Sequence, residues 1–136
     1  IGHGMQTTKV IWVNGCFDVL HRGHVELLSF AKSLGDRLIV GIDYDSRVSK
    51  AKGSSRPFNS FEDRKFLLES IGCVDKVVGF GSDDELTNCI KNESPFCMVV
   101  GSDWKGKKVI GSEHSSSIMY FDRIENYSTT KILEQK

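Results

Sequence analysis

The sequence predicts an α/β fold, a Rossmann-like, doubly wound and mostly parallel five-stranded sheet with helices on both faces. Short apolar runs, typical of buried strands, alternate with longer segments in which apolar residues recur at helical spacing. Polar loops follow several of the apolar runs, and ligands bind at the carboxyl ends of such strands. These two observations also predict where a functional site would form.

The first elements form a strand-helix-strand unit. Residues 9–13 read KVIWV, an almost continuously apolar run that predicts a buried strand ending in an Asn-Gly turn. Apolar residues recur at helical spacing over residues 25–34, and Gly35 is a stop signal. Residues 37–42 repeat the strand pattern, and a right-handed crossover would place this strand beside the first.

The rest of the chain continues the alternation after one interruption. Residues 43–59 are polar and rich in Ser, Lys and Arg, and we expect a long loop there. Ser60 is expected to cap an amphipathic helix. Further strands are expected at residues 75–80, 96–100 and 118–121, with a helix at residues 83–91, a loop at residues 101–106 and a short helix at residues 128–133.

The composition is that of an ordinary globular protein. The 136 residues are 39% hydrophobic, and 18 basic residues balance 18 acidic ones, so neither nucleic acid nor an anionic membrane is an expected partner. Four cysteines without a CxxC pair favour reduced thiols in a cytoplasmic protein and no zinc site. Residues 1–4 precede Met5 and are expected to be an expression remnant, which leaves residues 5–136 as a single domain.

Two histidines lie at the predicted start of the first helix. His21 and His24 flank Arg22 and Gly23, and the unpaired backbone N–H groups of a helix start attract phosphate. Imidazole donors would add to this attraction, and Gly15 and Gly23 would let a ligand approach the backbone closely. The bare pattern fits a partial metal site or a coincidence equally well. The string that precedes it favours phosphate binding.

Residues 15–24 read GCFDVLHRGH. Gly-x-Phe-Asp-x-x-His-x-Gly-His after an apolar strand closely resembles the signature of the cytidylyltransferase-like nucleotidyltransferases. Residues 123–129, RIENYST, resemble the RTxGIST motif of this family, with Ile124 and Asn126 where the motif has Thr and Gly. The resemblance covers nearly all of residues 9–133. It implies transfer of a nucleotidyl group from a nucleoside triphosphate to a phosphorylated sugar or polyol, with release of pyrophosphate.

The resemblance also implies roles for individual residues. His21 and His24 would be catalytic and contact the triphosphate, and Lys50 or Lys52 would bridge it to the substrate phosphate. Mg²⁺ would arrive with the nucleotide, and no metal site is expected in the protein itself. The residues expected to bind the nucleotide are Gly15, Cys16, Phe17, Gly23, Asp103, Trp104, Arg123, Tyr127, Ser128 and Thr129.

Several of these candidates have a structural alternative. Asp18, Arg56 and Arg64 are candidates for binding the phosphorylated substrate. Asp18 would otherwise brace the loop after the first strand, and Arg64 would otherwise have a structural role. Trp104 would either stack on a base or pack in the core.

Three functions are compatible with the sequence. Residues 35–40 and 110–113 resemble the heptose-1-phosphate adenylyltransferases, which favours adenylyl transfer to a sugar phosphate such as heptose 1-phosphate. Residues 101–106 and Arg123 resemble glycerol-3-phosphate cytidylyltransferase, and Val100 stands where the heptose enzymes usually have Lys. A non-catalytic nucleotide-binding module is the third function. Family members are commonly dimers, so a homodimer is expected.

Overall fold

Strands and helices alternate along residues 8–122, the part of the chain that the computed structural model describes. The strands in this range are β1 (Val10–Gly15), β2 (Arg37–Asp43), β3 (Lys76–Phe80), β4 (Cys97–Gly101) and β5 (Ile118–Phe121). The α-helices are α1 (Arg22–Ser33), α2 (Asp45–Lys52), α3 (Phe61–Glu69) and α4 (Asp83–Glu93). Short 3₁₀ turns at Ser102–Trp104 and Ser112–His114 lie between β4 and β5.

The described strands form one parallel sheet in the order β3-β2-β1-β4-β5. β1 is central and pairs with β2 from Val10 opposite Arg37 to Gly15 opposite Ile42. Its other edge pairs with β4. The chain therefore builds outward from β1 to β3 and then crosses back to place β4 and β5 on the other side. The strand order reverses between β1 and β4, which is where ligands bind in sheets of this kind.

Helices cover both faces of the sheet, as predicted. Ile11 of β1 belongs to one core cluster together with Leu28 of α1 and Leu68 of α3. Trp12, the next residue, belongs to the opposite cluster together with Ile90 of α4. All five side chains are fully buried, and burial of a large apolar side chain contributes roughly 1.5–3 kcal/mol. Because successive side chains of a strand point to opposite faces of the sheet, β1 contributes to the apolar cores on both faces.

Most of the predicted elements are confirmed to within a few residues. The strand predicted at residues 118–121 has the bounds of β5. Ser60 caps α3, and its hydroxyl oxygen accepts a hydrogen bond from the Asp63 N–H at 3.2 Å. The predicted helix at residues 128–133 and the proposed remnant at residues 1–4 lie outside the described residues.

The prediction of a loop over residues 43–59 is wrong in part, because this segment contains α2. Val48 is the one buried residue of this helix, so the sequence lacks the apolar stripe by which a helix is recognised. Lys50 and Lys52 lie in its last turn and suit the negative end of the helix dipole. Within residues 8–122, no helix combines the length and the apolar character needed to cross a membrane.

Candidate active site

His21 and His24 cap α1 with their own side chains. His21 is the N-cap residue, and its Nδ1 accepts a hydrogen bond from the Gly23 N–H at 3.1 Å. The His21 N–H in turn donates to Nδ1 of His24 at 3.3 Å. The two rings stack with their centroids 3.8 Å apart. A reciprocal capping box is usually built from Ser or Thr and Glu or Gln, and here two imidazoles replace them.

These hydrogen bonds determine which nitrogen of each imidazole carries the proton. Nδ1 accepts a hydrogen bond in both rings, so the proton of the neutral ring lies on Nε2. Burial, followed by the charges of His21 and Lys52, lowers the pKa of His24 to about 3. Burial also lowers the pKa of His21. Both imidazoles are therefore neutral near pH 7, and each carries its N–H at Nε2.

The helix start differs from the sequence expectation in one respect. The backbone N–H groups of the first turn were expected to face phosphate, but the Gly23 N–H donates to His21 Nδ1 and the His24 N–H donates to the His21 carbonyl. These two backbone N–H groups therefore already have acceptors within the protein. The partial positive charge of the helix start remains and favours an anion.

Phe17 holds the loop between β1 and α1 against His24. Its backbone φ of 50° lies in the left-handed region, which is uncommon for a residue with a side chain. The Phe17 ring is buried and meets the His24 ring edge-on, with centroids 5.0 Å apart. A Cβ atom at Gly15 would lie 3.1 Å from this ring. Burial raises the pKa of the Cys16 thiol, so Cys16 is protonated at neutral pH.

Asp18 is buried and is surrounded by protein donors. Its Oδ2 accepts hydrogen bonds from Arg56 Nε at 2.7 Å and from the Phe58 N–H at 2.8 Å, and its Oδ1 accepts from the Asn59 N–H at 2.8 Å. Burial by itself would raise the pKa of Asp18, but hydrogen bonds from Asn59, Phe58 and Arg56 lower it below its ordinary value. The geometry favours the bracing role of Asp18 over substrate contact.

Arg64 lies fully buried beneath the same loop. Its Nη1 donates to the Cys16 carbonyl at 3.0 Å and its Nε donates to the Asn59 carbonyl at 3.1 Å. Its Nη2 donates to Asp45 Oδ1 at 2.7 Å. Because each nitrogen of the guanidinium has a protein acceptor, the structural alternative for Arg64 is favoured over contact with substrate. Asn59, which the sequence analysis missed, joins both buried charges.

The structure separates the two candidate lysines of α2. The positive charge of Lys52 contributes to the low pKa of His24 and opposes the rise that burial causes in the pKa of Cys16. Lys50 instead lines a wide cleft of about 610 Å³ between α2 and the start of α4. Lys52 is therefore the lysine that adds positive charge beside the histidine pair.

A cavity of about 290 Å³ opens at the carboxyl ends of β1, β2 and β4. Gly15 and Trp104, two predicted nucleotide-binding residues, line it, and Trp104 is 45% exposed, which excludes core packing for this side chain. Asn14, Asp43 and Arg47 also line the cavity. The sequence analysis assigned no role to these three residues, although two of them end predicted strands or follow them directly.

Five further residues were predicted to bind the nucleotide, and these roles stay predictions. Asp103 is exposed beside Trp104. The remaining predicted nucleotide-binding residues lie outside the described residues, and their roles stay predictions: Arg123, Tyr127, Ser128 and Thr129. Among residues 8–122, no three His, Cys, Asp or Glu side chains form a group that could hold a metal ion.

Comparison with known proteins identifies the family. The profile of the cytidylyltransferase-like family matches residues 12–135. The chain belongs to the cytidylyltransferase-like family. This confirms the resemblance carried by residues 15–24 and supports the prediction of a nucleotidyltransferase.

Relatives of this cytidylyltransferase-like domain include much longer proteins. It is 46% identical over 127 residues to the bifunctional protein HldE of Sulfurimonas denitrificans, in a match that covers 93% of this chain and 26% of that protein. The chain thus spans about a quarter of the length of the curated relatives it matches.

Solved structures share the fold of the domain. The lipopolysaccharide core biosynthesis protein of Thermoplasma volcanium superposes with a TM-score of 0.69 at 23% identity, over 88% of this chain and 100% of that one. The bifunctional NMN adenylyltransferase/ADP ribose pyrophosphatase of Francisella tularensis gives a TM-score of 0.71 at 17% identity, over 95% of this chain and 41% of that one. These likenesses confirm the predicted Rossmann-like architecture.

Proposed function

We propose that this domain transfers an adenylyl group from ATP to a sugar phosphate, such as heptose 1-phosphate. The observation that carries the proposal is the neutral imidazole of His24, which keeps an Nε2–H donor at the start of α1 beside the charge of Lys52. The likeness to HldE and the segments that resemble heptose-1-phosphate adenylyltransferases support ATP and a sugar phosphate as the substrates.

The reaction needs no general base. An oxygen of the sugar phosphate is already anionic at neutral pH and attacks the α-phosphorus of ATP. A bond forms between this oxygen and the α-phosphorus, the bond from the α-phosphorus to the bridging β-oxygen breaks, and its electron pair leaves with pyrophosphate. The protein must therefore align two anions that repel each other and stabilise the charge that develops between them.

The residues of the site suit this electrostatic task. A neutral imidazole that accepts a hydrogen bond at Nδ1 donates from Nε2 to a phosphate oxygen, and its pKa rises when the anion binds. Lys52 offers a positive charge to both phosphates. The loop is already fixed by Asp18 and Arg64, so little ordering is needed when substrates bind.

The Mg²⁺ of the proposal would arrive with ATP. Mg²⁺ is usually held by substrate phosphates and several waters, so it would not need a cage of protein side chains, and the described residues contain none. When bound, the ion would neutralise part of the triphosphate charge.

A second candidate is CTP-dependent transfer to glycerol 3-phosphate. It is favoured by residues 101–106 and by Val100, which stands where the heptose enzymes usually have Lys. A third candidate is a nucleotide-binding module without turnover, which would not need an imidazole donor for a transition state. The expected homodimer and cytoplasmic location stay predictions.

One assay distinguishes these candidates. The purified protein is mixed with Mg²⁺, one of ATP, CTP, GTP or UTP, and either heptose 1-phosphate or glycerol 3-phosphate, and pyrophosphate release is measured. We expect release with ATP and heptose 1-phosphate. Release only with CTP and glycerol 3-phosphate would establish the second candidate, and nucleotide binding without any release would establish the third.

A further inference from the structure

We infer that the 290 Å³ cavity binds the hydroxyl-bearing part of the acceptor, and that Asp43 and Asn14 select it through hydrogen bonds. The inference rests on the proposed function and assigns the place of the sugar within the site. It adds two specificity residues to which the sequence analysis assigned no role.

Asp43 presents a hydrogen-bond acceptor to the cavity. Its Oδ2 accepts from Arg47 Nε at 3.1 Å, and Arg47 is held in turn by Asp83, to which Nη2 donates at 2.7 Å. The Asp43 side chain is 22% exposed, and its Oδ1 has no hydrogen-bond partner within residues 8–122. A carboxylate oxygen of this kind accepts from a hydroxyl group and repels a phosphate.

Asn14 presents a donor to the same cavity. Its Oδ1 accepts a hydrogen bond from the indole Nε1 of Trp12 at 2.9 Å, and Trp12 is fully buried. This contact fixes the orientation of the amide, because the indole can only donate. The Nδ2 amino group is therefore the part of Asn14 that remains for a ligand, and it has no partner in the described part of the chain.

A fixed donor and a fixed acceptor in one small cavity match a polyol. Each hydroxyl group both donates and accepts, whereas a phosphate only accepts. The volume of about 290 Å³ lies just below the roughly 300–1,000 Å³ of ligand pockets, so the cavity suits one sugar rather than a whole nucleotide. The side chains of Phe80 and Leu86 form an apolar part of the cavity wall, and the exposed ring of Trp104 can pack against the C–H face of a sugar.

The place of the cavity connects it to the histidine pair. Gly15 lines the cavity, and a Cβ atom at this position would lie 3.1 Å from the Phe17 ring. The same Phe17 ring contacts the His24 ring, with centroids 5.0 Å apart, and the charge of Lys52 contributes to the low pKa of His24. A sugar held by Asp43 and Asn14 would thus direct its phosphate toward the positive side of the site.

The test compares Asp43→Asn with Asp84→Asn, a matched control that removes the same charge from the exposed start of α4. With ATP and heptose 1-phosphate as substrates, we expect Asp43→Asn to raise the acceptor KM about 10- to 100-fold, the loss typical of one hydrogen bond to a charged group. The KM for ATP should change by less than about twofold, and Asp84→Asn should behave as the natural protein. A rise in the KM for ATP with an unchanged acceptor KM would place the base in the cavity and overturn the inference.

Acceptor analogues extend the test to the natural protein, so that it does not depend on the folding of a variant. At least one monodeoxy analogue of heptose 1-phosphate should lose about 10-fold or more in kcat/KM, and Asp43→Asn should abolish that discrimination. Equal use of every analogue would overturn the inference and leave the proposed function intact. Absence of pyrophosphate release by the natural protein with any sugar phosphate would overturn both.

Discussion

Polar side chains build both the start of α1 and the buried contacts beneath the preceding loop. The two regions differ in which polar atoms of these side chains form hydrogen bonds within the protein. His21 and His24 use Nδ1 to cap the helix and keep the ring proton on Nε2. Asp18 and Arg64 use their polar atoms on protein partners and are buried. In the proposed function the first region acts on the substrate, whereas the second holds the first in place.

The two regions also differ in the distance along the sequence over which they are built. The histidines are three residues apart and organise each other, so their geometry follows from local helix capping. Asp18 reaches Arg56 and Asn59, about 40 residues away, and Arg64 reaches Cys16. Local motifs therefore specify chemistry, while the support of the site depends on how the whole sheet is assembled.

The largest effect is expected from loss of the buried carboxylate. Asp18→Ala leaves the Arg56 guanidinium and two backbone N–H groups without their acceptor, and breaking such a buried pair costs about 3–5 kcal/mol. Urea denaturation measures this change in the free energy of unfolding. Asp84→Ala, at an exposed position, is the control, and equal stability of the two variants would contradict the supporting role of Asp18.

A comparably large loss, in turnover rather than stability, is expected when the Nε2 donor of His24 is removed. In His24→Asn the amide oxygen can replace Nδ1 as the cap acceptor but nothing replaces Nε2, and we expect kcat to fall about 100- to 1,000-fold with a much smaller loss of ATP affinity. His24→Gln restores a donor near the Nε2 position and loses the cap, which is worth about 1 kcal/mol of stability. Pyrophosphate release, calorimetric ATP binding and urea denaturation give the three readouts. Greater activity in His24→Asn than in His24→Gln would contradict the assignment.

A smaller effect is expected from the lysines of α2. Lys52→Met should lower kcat/KM about 10-fold or more, because it removes a charged donor beside the histidine pair. Lys50→Met, which removes the same charge two residues away, should cost less than about threefold by comparison. Steady-state kinetics of both variants provide the measurement. Equal losses would mean that the site does not distinguish the two lysines.

Much of the fold could be predicted from the sequence because buried parallel strands give continuous apolar runs, as in β1 and β2. The helix α2 could not be predicted, because Val48 is its one buried residue and helical periodicity needs a stripe. The histidine pair followed from a contiguous motif. The role of Arg64 could not be predicted, because the sequence pattern does not distinguish a buried arginine on a helix from a solvated one. Its acceptors become known only from the structure.

The cavity residues show a further limit of sequence reasoning. Asn14 is the last residue but one of β1 and is paired with Gly41, and Asp43 ends β2 two residues later, so their proximity follows from the register of the two strands. Their division into donor and acceptor depends on Trp12, which donates to Oδ1 of Asn14, and on Arg47, which donates to Oδ2 of Asp43. Hydrogen-bond partners of this kind become visible only when side chains are placed.

The protonation of His24 tests the central claim most directly. Two-bond ¹H–¹⁵N correlation NMR on histidine-labelled protein distinguishes a neutral ring with its proton on Nε2 from the Nδ1–H form and from imidazolium. Because burial and the charges of His21 and Lys52 lower the pKa of His24 to about 3, we expect the neutral Nε2–H form at pH 7 and no change in its pattern down to pH ~5. An Nδ1–H tautomer, or an imidazolium pattern at neutral pH in the absence of nucleotide, would contradict the account.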